Sequence, residues 1–252
     1  VTGDIYGRAA LAKTSNGKIF IDRVEWQGKL SNLANNEIIK IDVANKAPQS
    51  DEIAIYTHFH GKSAPLLKEN MSQMIIRDDK VTSIINNITI TDIKIPENGF
   101  ILQSKNKNTF SNFKEGDKVK FKHIFDNSKW NENEIIMAVG GGPLLIENGK
   151  INISSKLGNF QNDIVEGRAP RSAVGLNENG NLLFFTVDGR QNKSIGISLE
   201  ELAHFMLEKG VIKGMNLDGG ASARMSVRGF TMNNPSSERL ISNALIFYKK
   251  EL

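Results

Sequence analysis

The sequence predicts a mixed α+β fold, with a central, mostly β-sheet core, one β–α–β unit, flanking helices and a β-rich inserted subdomain. Three observations support this class. Short runs of alternating apolar and polar residues, bounded by turn residues, recur along the chain. One amphipathic helix lies between two strands that each end in Asp-Gly. Residues 66–125 differ from the rest of the sequence in their residue pattern, because short β-type runs alternate there with polar turns.

The N-terminal third is predicted to be strands and turns. Lys18–Val24 alternates after the turn dipeptide Asn16-Gly17, and Glu37–Val43 and Ile53–Thr57 follow as further strands. Within the predicted insert at 66–125, four more segments have strand character: Met74–Arg77, Ile84–Ile95, Gly99–Gln103 and Lys118–His123. We expect this insert to shape or cover a site without supplying its chemistry, because it contains no glycine motif.

The C-terminal half contains the clearer sequence patterns for strands, turns and a helix. Glu134–Val139 has the composition of a buried strand and runs into Gly140, Gly141 and Gly142. Asn177-Glu-Asn-Gly180 predicts a hairpin turn between Arg171–Leu176 and Asn181–Val187. Ser198 and Glu201 form a capping box before an apolar helical stripe, and Gly210 is suited to the end of that helix. The remaining predicted strands are Gly214–Leu217 and Ile241–Tyr248.

Composition limits the classes of function. The chain has 252 residues, enough for a single domain spanning 1–252, and no apolar run of membrane-span length. It has no cysteine, so disulfides and thiol chemistry are excluded. The net charge of +4 is spread among acidic residues, which argues against nucleic-acid binding and allows a small anionic ligand. Residues 1–22 do not form a signal peptide, and we expect a leader to have been removed or the numbering to begin inside a precursor.

Two aspartates are the candidate catalytic residues. Asp188 and Asp218 each follow a predicted strand, and a helix lies between the two strands. In a β–α–β crossover such strands run parallel, so their carboxyl ends share the edge where open sheets bind ligands. Paired carboxylates in a cleft can act as acid and base or as nucleophile. Asp-Gly after a strand is also common turn chemistry, and that interpretation stays open.

Arginines and glycines near these aspartates predict an anion site. Six of the nine arginines follow Glu166, and a planar guanidinium matches phosphate or carboxylate. Consecutive glycines, as at 140–142 and at 219–220, let backbone N–H groups approach an oxyanion or form a tight turn. Ser222 is not in a nucleophile elbow, so we expect it to hydrogen-bond a phosphate or sugar oxygen.

Histidine offers a second interpretation. His58 and His60 can lie on one face of a strand, an arrangement suited to a metal ion, but a third ligand is not evident. We therefore expect no cofactor, and a divalent cation is compatible with the sequence but not indicated by it.

The motifs resemble the phosphodiester glycosidase family, which includes an "uncovering" enzyme that removes N-acetylglucosamine from a phosphodiester on mannose. The matching segments, in the family's order, are 138–145, 168–175, 186–190, 199–203, 216–220 and 238–245. The chain departs from the family's Gly-Gly-Gly-Ser pattern at Ala221, Ala223 and Arg224, which changes the lining of that loop. We expect the family's usual N-terminal segment to be missing from this chain, as in a processed or truncated form.

The resemblance implies hydrolysis of a sugar-1-phosphate phosphodiester by cleavage of the anomeric C–O bond. It implies a bacterial, exopolysaccharide-type or other envelope glycan as substrate, outside the cell or in the envelope. Asp188 and Asp218 are then the catalytic residues. The expected substrate- or phosphate-binding residues are Arg171, Arg190, Arg239, Gly140, Gly141, Gly142, Asn216, Gly219, Gly220, Ser222 and Asn243. Two alternatives stay open, a non-catalytic glycan-binding module and a metal-dependent phosphodiesterase, and the sequence does not predict an oligomeric state.

Overall fold

The computed structural model describes residues 7–86, 92–154, 160, 165–241 and 244–248. Strands make up 44% of the structure and helices 9%. Two helices have bounds within the described residues, α1 (Ser128–Glu132) and α2 (Leu199–Glu208). The predicted α+β class with flanking helices is therefore wrong, and the fold is β-rich. Within the described residues the segments on both sides of α2 form strands rather than helices, and α2 is the longer of the two helices.

Twenty strands have bounds within the described residues. They are β1 (Arg8–Thr14), β2 (Ile19–Val24), β3 (Trp26–Asn32), β4 (Ile38–Ile41), β5 (Val43–Ala44), β6 (Ile53–Tyr56), β7 (Ser63–Ala64), β8 (Ser72–Arg77), β9 (Lys80–Ile85), β10 (Ile93–Lys94), β11 (Gly99–Ser104), β12 (Val119–Phe125), β13 (Ile135–Gly140), β14 (Leu144–Glu147), β15 (Lys150–Ile151), β16 (Arg171–Asn177), β17 (Leu182–Val187), β18 (Val211–Asn216), β19 (Ser226–Val227) and β20 (Phe230–Thr231).

The chain divides into two compact units. The first unit comprises Val1–Gly7 and Val24–Glu132, and the second comprises Arg8–Arg23 and Asn133–Leu252. The predicted inserted subdomain at 66–125 falls inside the first unit, and its boundaries stay a prediction.

The first unit contains three sheets. β5, β6, β11, β8 and β9 form a five-stranded sheet in that order, β12, β3 and β4 form a three-stranded sheet, and β10 pairs with β7. Its main core includes Trp26, Leu30, Ile55 and Met74. The predicted strands at 74–77, 99–103 and 118–123 are largely confirmed as parts of β8, β11 and β12. The single run predicted at 84–95 is wrong, because Asn86 and Asp92 are not in a strand, while 87–91 lie outside the described residues.

The second unit begins with a hairpin. β1 and β2 are hydrogen-bonded neighbours joined by the predicted Asn16-Gly17 turn, where Gly17 has a φ of +85° that suits glycine. β13 pairs with β1 on the other side. The expectation that this strand is buried is wrong, since Ile136 is 57% exposed and Met137 38% exposed. β13 is the outer strand of its three-stranded sheet, which accounts for its exposure.

The five-stranded sheet of the second unit has the order β15, β14, β18, β16, β17. β16 pairs antiparallel with β17 along the predicted hairpin and antiparallel with β18 on its other side. β17 and β18 therefore run in the same direction with β16 between them, and α2 connects them in sequence. Their carboxyl ends lie at the same edge of the sheet, next to the start of β16.

Helix α2 packs on one face of this sheet. Its buried residues Leu199, Leu202, Ala203 and Met206 share a core with sheet residues such as Phe185. The predicted capping box is confirmed, because the Ser198 side chain accepts from the Glu201 backbone N–H while the Glu201 carboxylate accepts from Ser198 N–H. The opposite face of the sheet packs against apolar residues of β1 and β2.

The last predicted strand, Ile241–Tyr248, is wrong for residues 241 and 244–248, none of which is in a strand. Phe247 instead contacts the ring of Phe184 on β17, with a centroid separation of 4.5 Å. None of the helices found among the described residues is long and apolar enough to cross a membrane.

Candidate functional site

The candidate site lies where three adjacent strands of the second unit meet. Arg171, the first residue of β16, pairs with Val187, the last residue of β17. On the other side of β16, Leu217 N donates to Ser172 O at 2.8 Å, and this register places Asp218 opposite Arg171. The two aspartates therefore flank the start of β16. Because neighbouring strands are about 4.8 Å apart, their backbones are separated by roughly 10 Å.

We call this group the site edge and define it as Arg171, Asp188–Arg190 and Asp218–Gly220. The predicted sharing of one sheet edge by the two Asp-Gly sequences matches this geometry. A turn after each strand holds each carboxylate at the end of the sheet rather than within it.

Arg171 supplies a buried positive charge at the site edge. Its side chain is anchored to the backbone, with Nε donating to Ile197 O at 3.3 Å and Nη2 donating to Gly167 O at 2.7 Å. The residue is only 5% exposed. Burial lowers the pKa of the Arg171 guanidinium, and the neighbouring positive charge of Arg190 lowers it further. A bound anion would relieve both the desolvation and the repulsion between the two cations.

Arg190 is the exposed partner in this pair. It follows the tight Asp188-Gly189 turn and has a φ of +57°, a backbone conformation that is uncommon for arginine. A Cβ on Gly189 would lie 2.7 Å from Gly196 Cα and 2.8 Å from Pro170 N, so this turn has room only for glycine. The Arg190 guanidinium makes no hydrogen bond or ion pair with any residue that the structure describes, which leaves its donors available to a ligand.

Two consecutive glycines lie against the two arginines. A Cβ on Gly219 would lie 3.8 Å from Arg171 Cδ and 2.7 Å from Pro170 O. Gly220 has a φ of +60°, and a Cβ there would lie 3.4 Å from Arg190 Nη1. The missing side chain at Gly220 thus leaves room beside the Arg190 guanidinium, whereas the position at Gly219 is already occupied by Pro170 O. The backbone N–H groups are already used, since Gly219 N donates to Asp218 Oδ1 and Gly220 N donates to Pro170 O.

The Asp188 carboxylate is held by a distant part of the chain. Asn233 Nδ2 donates to Asp188 Oδ1 at 2.9 Å, and Asn234 N donates to both carboxylate oxygens at 3.0 Å. Ser194 Oγ donates to the Asp188 backbone carbonyl at 2.6 Å. Asp188 is half-buried, so its carboxylate has a fixed orientation with one side towards solvent.

Asp218 is exposed and less constrained. Its Oδ1 accepts the N–H of the next residue, Gly219, at 3.0 Å. Within the described residues the carboxylate has no other hydrogen-bond donor and no cationic partner. The two candidate catalytic carboxylates therefore differ: the one at 188 is fixed by its neighbours and the one at 218 can adjust to a ligand.

The glycine triplet begins at the end of β13, in the three-stranded sheet, and leads to β14, which neighbours β18 in the five-stranded sheet. Gly142 N donates to Asn216 O at 2.7 Å, Gly141 N donates to Ala9 O at 2.9 Å, and Asn216 Nδ2 donates to Gly142 O at 3.0 Å. The N–H groups of Gly141 and Gly142 are thus committed to backbone partners, while Gly140 is an exposed end of β13. Asn216 is 4% exposed, and its Oδ1 accepts no hydrogen bond from the described residues.

Of the other predicted ligand-binding residues, Ser222 adjoins the site edge, because its backbone N–H donates to Gly219 O at 3.1 Å. Ser222 ends a 3₁₀ turn, Gly220–Ser222, and its hydroxyl bonds to none of the described residues. Arg239 is exposed in coil and likewise has no hydrogen-bond partner in the described part of the chain. Asn243 lies outside the described residues. The roles of these three residues stay predictions.

The histidine pair belongs to the first unit. The expectation that both imidazoles share a strand face is wrong, because β6 ends at Tyr56 and residues 57–60 form a turn. His60 packs edge-on against Tyr56 with a centroid separation of 4.8 Å, and His58 contacts Phe59. Across the described ranges, no three His, Asp or Glu side chains form a group that can hold a metal ion.

Sequence reasoning missed the residues that hold Asp188. Asn233 and Asn234 lie 45 and 46 residues after it, in a stretch whose asparagines and proline predict only a loop. The polar character of these two asparagines does not indicate that Asp188 is their hydrogen-bond partner. A long-range tertiary contact of this kind leaves no local periodicity in the sequence.

Comparison with known proteins places the sequence in a family. The family model for phosphodiester glycosidase matches residues 66–248. The chain is 36% identical over 115 residues to bovine N-acetylglucosamine-1-phosphodiester alpha-N-acetylglucosaminidase. That alignment covers 42% of this chain and 21% of the bovine protein, so the chain spans about a fifth of the length of this relative.

Solved structures share the fold. A hypothetical protein from Synechocystis matches with a TM-score of 0.79 and 22% identity, covering 93% of this chain and 44% of that one. A Burkholderia pseudomallei protein described as exported matches with a TM-score of 0.72 and 19% identity, covering 94% of this chain and 56% of that one. Since the family match spans most of the sequence, this chain belongs to the phosphodiester glycosidase family, whose members are hydrolases.

Proposed function

We propose that this chain hydrolyses a sugar-1-phosphate phosphodiester by breaking the bond between the anomeric carbon and the phosphate oxygen. The observation that carries the proposal is the meeting of Arg171 and Arg190 at the same sheet edge as Asp188 and Asp218. An anion site and two carboxylates within one strand-end cluster are the groups that this reaction needs.

The arginines bind and stabilise the phosphate. A phosphodiester carries one negative charge, which guanidinium groups match in charge and geometry. When the anomeric C–O bond breaks, its electron pair stays on the phosphate oxygen and a phosphate monoester leaves. Its second pKa is about 6, so it departs with little need for a proton donor. Positive charge already in place at Arg171 and Arg190 stabilises the developing negative charge.

The two aspartates act on the sugar side. Asp188, oriented by its three N–H contacts, stabilises the positive charge that develops on the oxocarbenium-like sugar. Asp218, exposed and bonded only to its own neighbour's N–H among the described residues, is placed to take a proton from the attacking water. The products are a free sugar and a phosphate monoester, with the water oxygen on the sugar.

The substrate class follows from the family. The bovine relative is named for an N-acetylglucosamine-1-phosphodiester, and we propose an N-acetylhexosamine-1-phosphodiester of an extracellular or envelope glycan. A location outside the cell or in the envelope fits such a substrate, and a fold neighbour is described as exported.

Hydrolysis in water enriched in ¹⁸O tests the bond that breaks. The methyl diester of N-acetylglucosamine-1-phosphate is the starting substrate, with other sugar-1-phosphate methyl diesters beside it. We expect methyl phosphate without ¹⁸O, measured by mass spectrometry. The phosphate is the informative product, because the anomeric hydroxyl of a free sugar exchanges its oxygen with water. Appearance of ¹⁸O in the phosphate would show P–O cleavage and refute the glycosidase mechanism.

A further inference from the structure

One side chain connects the two halves of the candidate site. Asn233 makes three hydrogen bonds: Nδ2 donates to Asp188 Oδ1 at 2.9 Å and to Ala223 O at 3.0 Å, and Oδ1 accepts from Met225 N at 2.9 Å. Ala223 caps the 3₁₀ turn that follows Gly219. Asn233 therefore ties the carboxylate after β17 to the loop after β18.

The hydrogen-bond pattern requires the amide of Asn233. A carboxylate and a backbone carbonyl only accept, and a backbone N–H only donates. The side-chain nitrogen must then face Asp188 and Ala223, and the oxygen must face Met225. Asparagine is the shortest side chain that offers two donors and an acceptor in this arrangement, and aspartate would place a second acceptor against Asp188.

The next residue, Asn234, also holds the Asp188 carboxylate. Asn234 N donates to both oxygens of Asp188 at 3.0 Å. Asn234 also bonds to the side chain of Gln191, which follows Arg190: Asn234 Nδ2 donates to Gln191 Oε1, and Gln191 Nε2 donates to the backbone carbonyl of Asn234. One short segment thus contacts the carboxylate, the turn that carries Arg190 and the loop that begins at Asp218.

We propose that Asn233 is a positioning residue, which fixes the orientation of the Asp188 carboxylate relative to the loop that carries Asp218. The assignment rests on the proposed function, in that it supposes Asp188 to act on the substrate. Asn233 itself does not touch the reacting atoms. Without it the carboxylate keeps its backbone donor but loses the side-chain donor that fixes its rotation about χ1 and χ2.

Asn233→Ala is the first test, with Asn152→Ala as its control. Asn152 is exposed and its Nδ2 donates to a carboxylate oxygen of Glu147 at 2.9 Å, so the control removes a similar hydrogen bond outside the site edge. With the methyl diester of N-acetylglucosamine-1-phosphate, Asn233→Ala should lower kcat by about 100-fold, as a displacement near 1 Å does, while KM changes less than about threefold. Asn152→Ala should keep kcat within about threefold of the wild type.

Asn233→Ser covers the case in which the alanine variant does not fold. Its hydroxyl can still donate to Ala223 O but is too short to reach Asp188, so kcat should fall as for alanine. A purely structural role predicts instead that kcat and KM are unchanged in variants that retain the wild-type melting temperature. That result would overturn the assignment.

A crystal structure of Asn233→Ser separates this inference from the proposed function. We expect the Asp188 carboxylate to adopt a different rotamer, with the backbone of the sheet unchanged. An unmoved carboxylate overturns the inference whether or not the protein is active. Absence of hydrolysis by the wild-type protein, together with a displaced Asp188 in the variant, would refute the proposed function alone.

Discussion

The Nη1 of Arg190 lies 3.4 Å from the position that a Cβ on Gly220 would occupy. At Gly219 a Cβ would lie 3.8 Å from the Arg171 Cδ methylene but only 2.7 Å from Pro170 O, so that position offers no comparable space. The absence of a side chain at Gly220 keeps space beside the Arg190 guanidinium, and the proposed phosphate site depends on that space.

Replacing Arg190 should weaken both phosphate binding and turnover. Arg190→Ala removes the exposed cation, and we expect kcat/KM to fall by about 100-fold or more, with weaker competitive inhibition by inorganic phosphate. Arg228→Ala is the matched control, because Arg228 is also exposed and has a similar φ of +52°. Equal effects of the two substitutions on phosphate inhibition would mean that Arg190 contributes only general surface charge.

Replacing either aspartate should remove most of the activity. Asp188→Asn and Asp218→Asn keep the shape of the side chain but remove its negative charge, and each should lower kcat by at least about 100-fold. Glu208→Gln, at the exposed end of α2, removes one negative charge elsewhere in the second unit and should leave kcat unchanged. A variant of Asp188 or Asp218 with wild-type kcat would exclude that residue from catalysis.

Gly175 should be intolerant of a methyl group. A Cβ at this position in β16 would lie 2.6 Å from Val211 Cγ1 and 2.8 Å from Cγ2, both on a branched, buried side chain. Gly175→Ala should lower the free energy of unfolding by about 1–3 kcal/mol in urea titrations. At Gly214 the nearest atom is the flexible Met206 Cε, so Gly214→Ala should cost less. Val211→Ala, added to Gly175→Ala, removes the clash, although Val211→Ala alone costs stability because it leaves a cavity. We therefore expect the double mutant to lose less unfolding free energy than the two single mutants together. A loss equal to or greater than the sum of the two single losses would contradict this explanation.

The stability of the first unit should fall in mild acid because of His123. Its Nδ1 accepts a hydrogen bond from Trp26 Nε1 at 2.8 Å, which requires a neutral ring. Burial lowers the pKa of His123 below the ordinary histidine value of 6.5, so the unfolded chain binds the proton more readily than the folded one. The stabilisation is present above pH 6.5 and is lost as the pH falls through the lowered pKa of the folded state.

Urea unfolding of the wild type and of His123→Phe at pH 7.5 and at pH 5.5 measures this effect. The phenylalanine keeps an aromatic ring beside Phe121 and Phe125 but does not titrate. We expect the loss of stability between the two pH values to be smaller in the variant. An equal loss in both proteins would assign the acid sensitivity to other groups.

Local patterns in the sequence predicted much of the second unit. The hairpin at 171–187 follows from its Asn-Glu-Asn-Gly turn, where Gly180 has a φ of +76°, and helix α2 follows from the capping box at Ser198. The placement of Asp188 and Asp218 at one edge follows from the direction of two strands joined by a helix. The hairpin and the helix are each encoded within about 20 residues, and the shared edge within the 31 residues from Asp188 to Asp218.

Features that depend on distant contacts could not be predicted in this way. The hydrogen bond between Asn233 and Asp188 spans 45 residues, and the exposure of β13 depends on which strand pairs with it. The His58-x-His60 spacing suggested a strand face, but β6 ends two residues before His58. The predicted fold class was wrong because one capped helix does not imply others, and most of the remaining regular segments form strands.

The most direct test of the proposed site is a crystal structure of Asp218→Asn with the intact methyl diester of N-acetylglucosamine-1-phosphate. We predict that the phosphate lies within hydrogen-bonding distance of Arg190, next to Arg171 and Gly220, and that the anomeric carbon faces Asp188. A phosphate bound away from both guanidiniums, with the sugar remote from Asp188, would contradict the account.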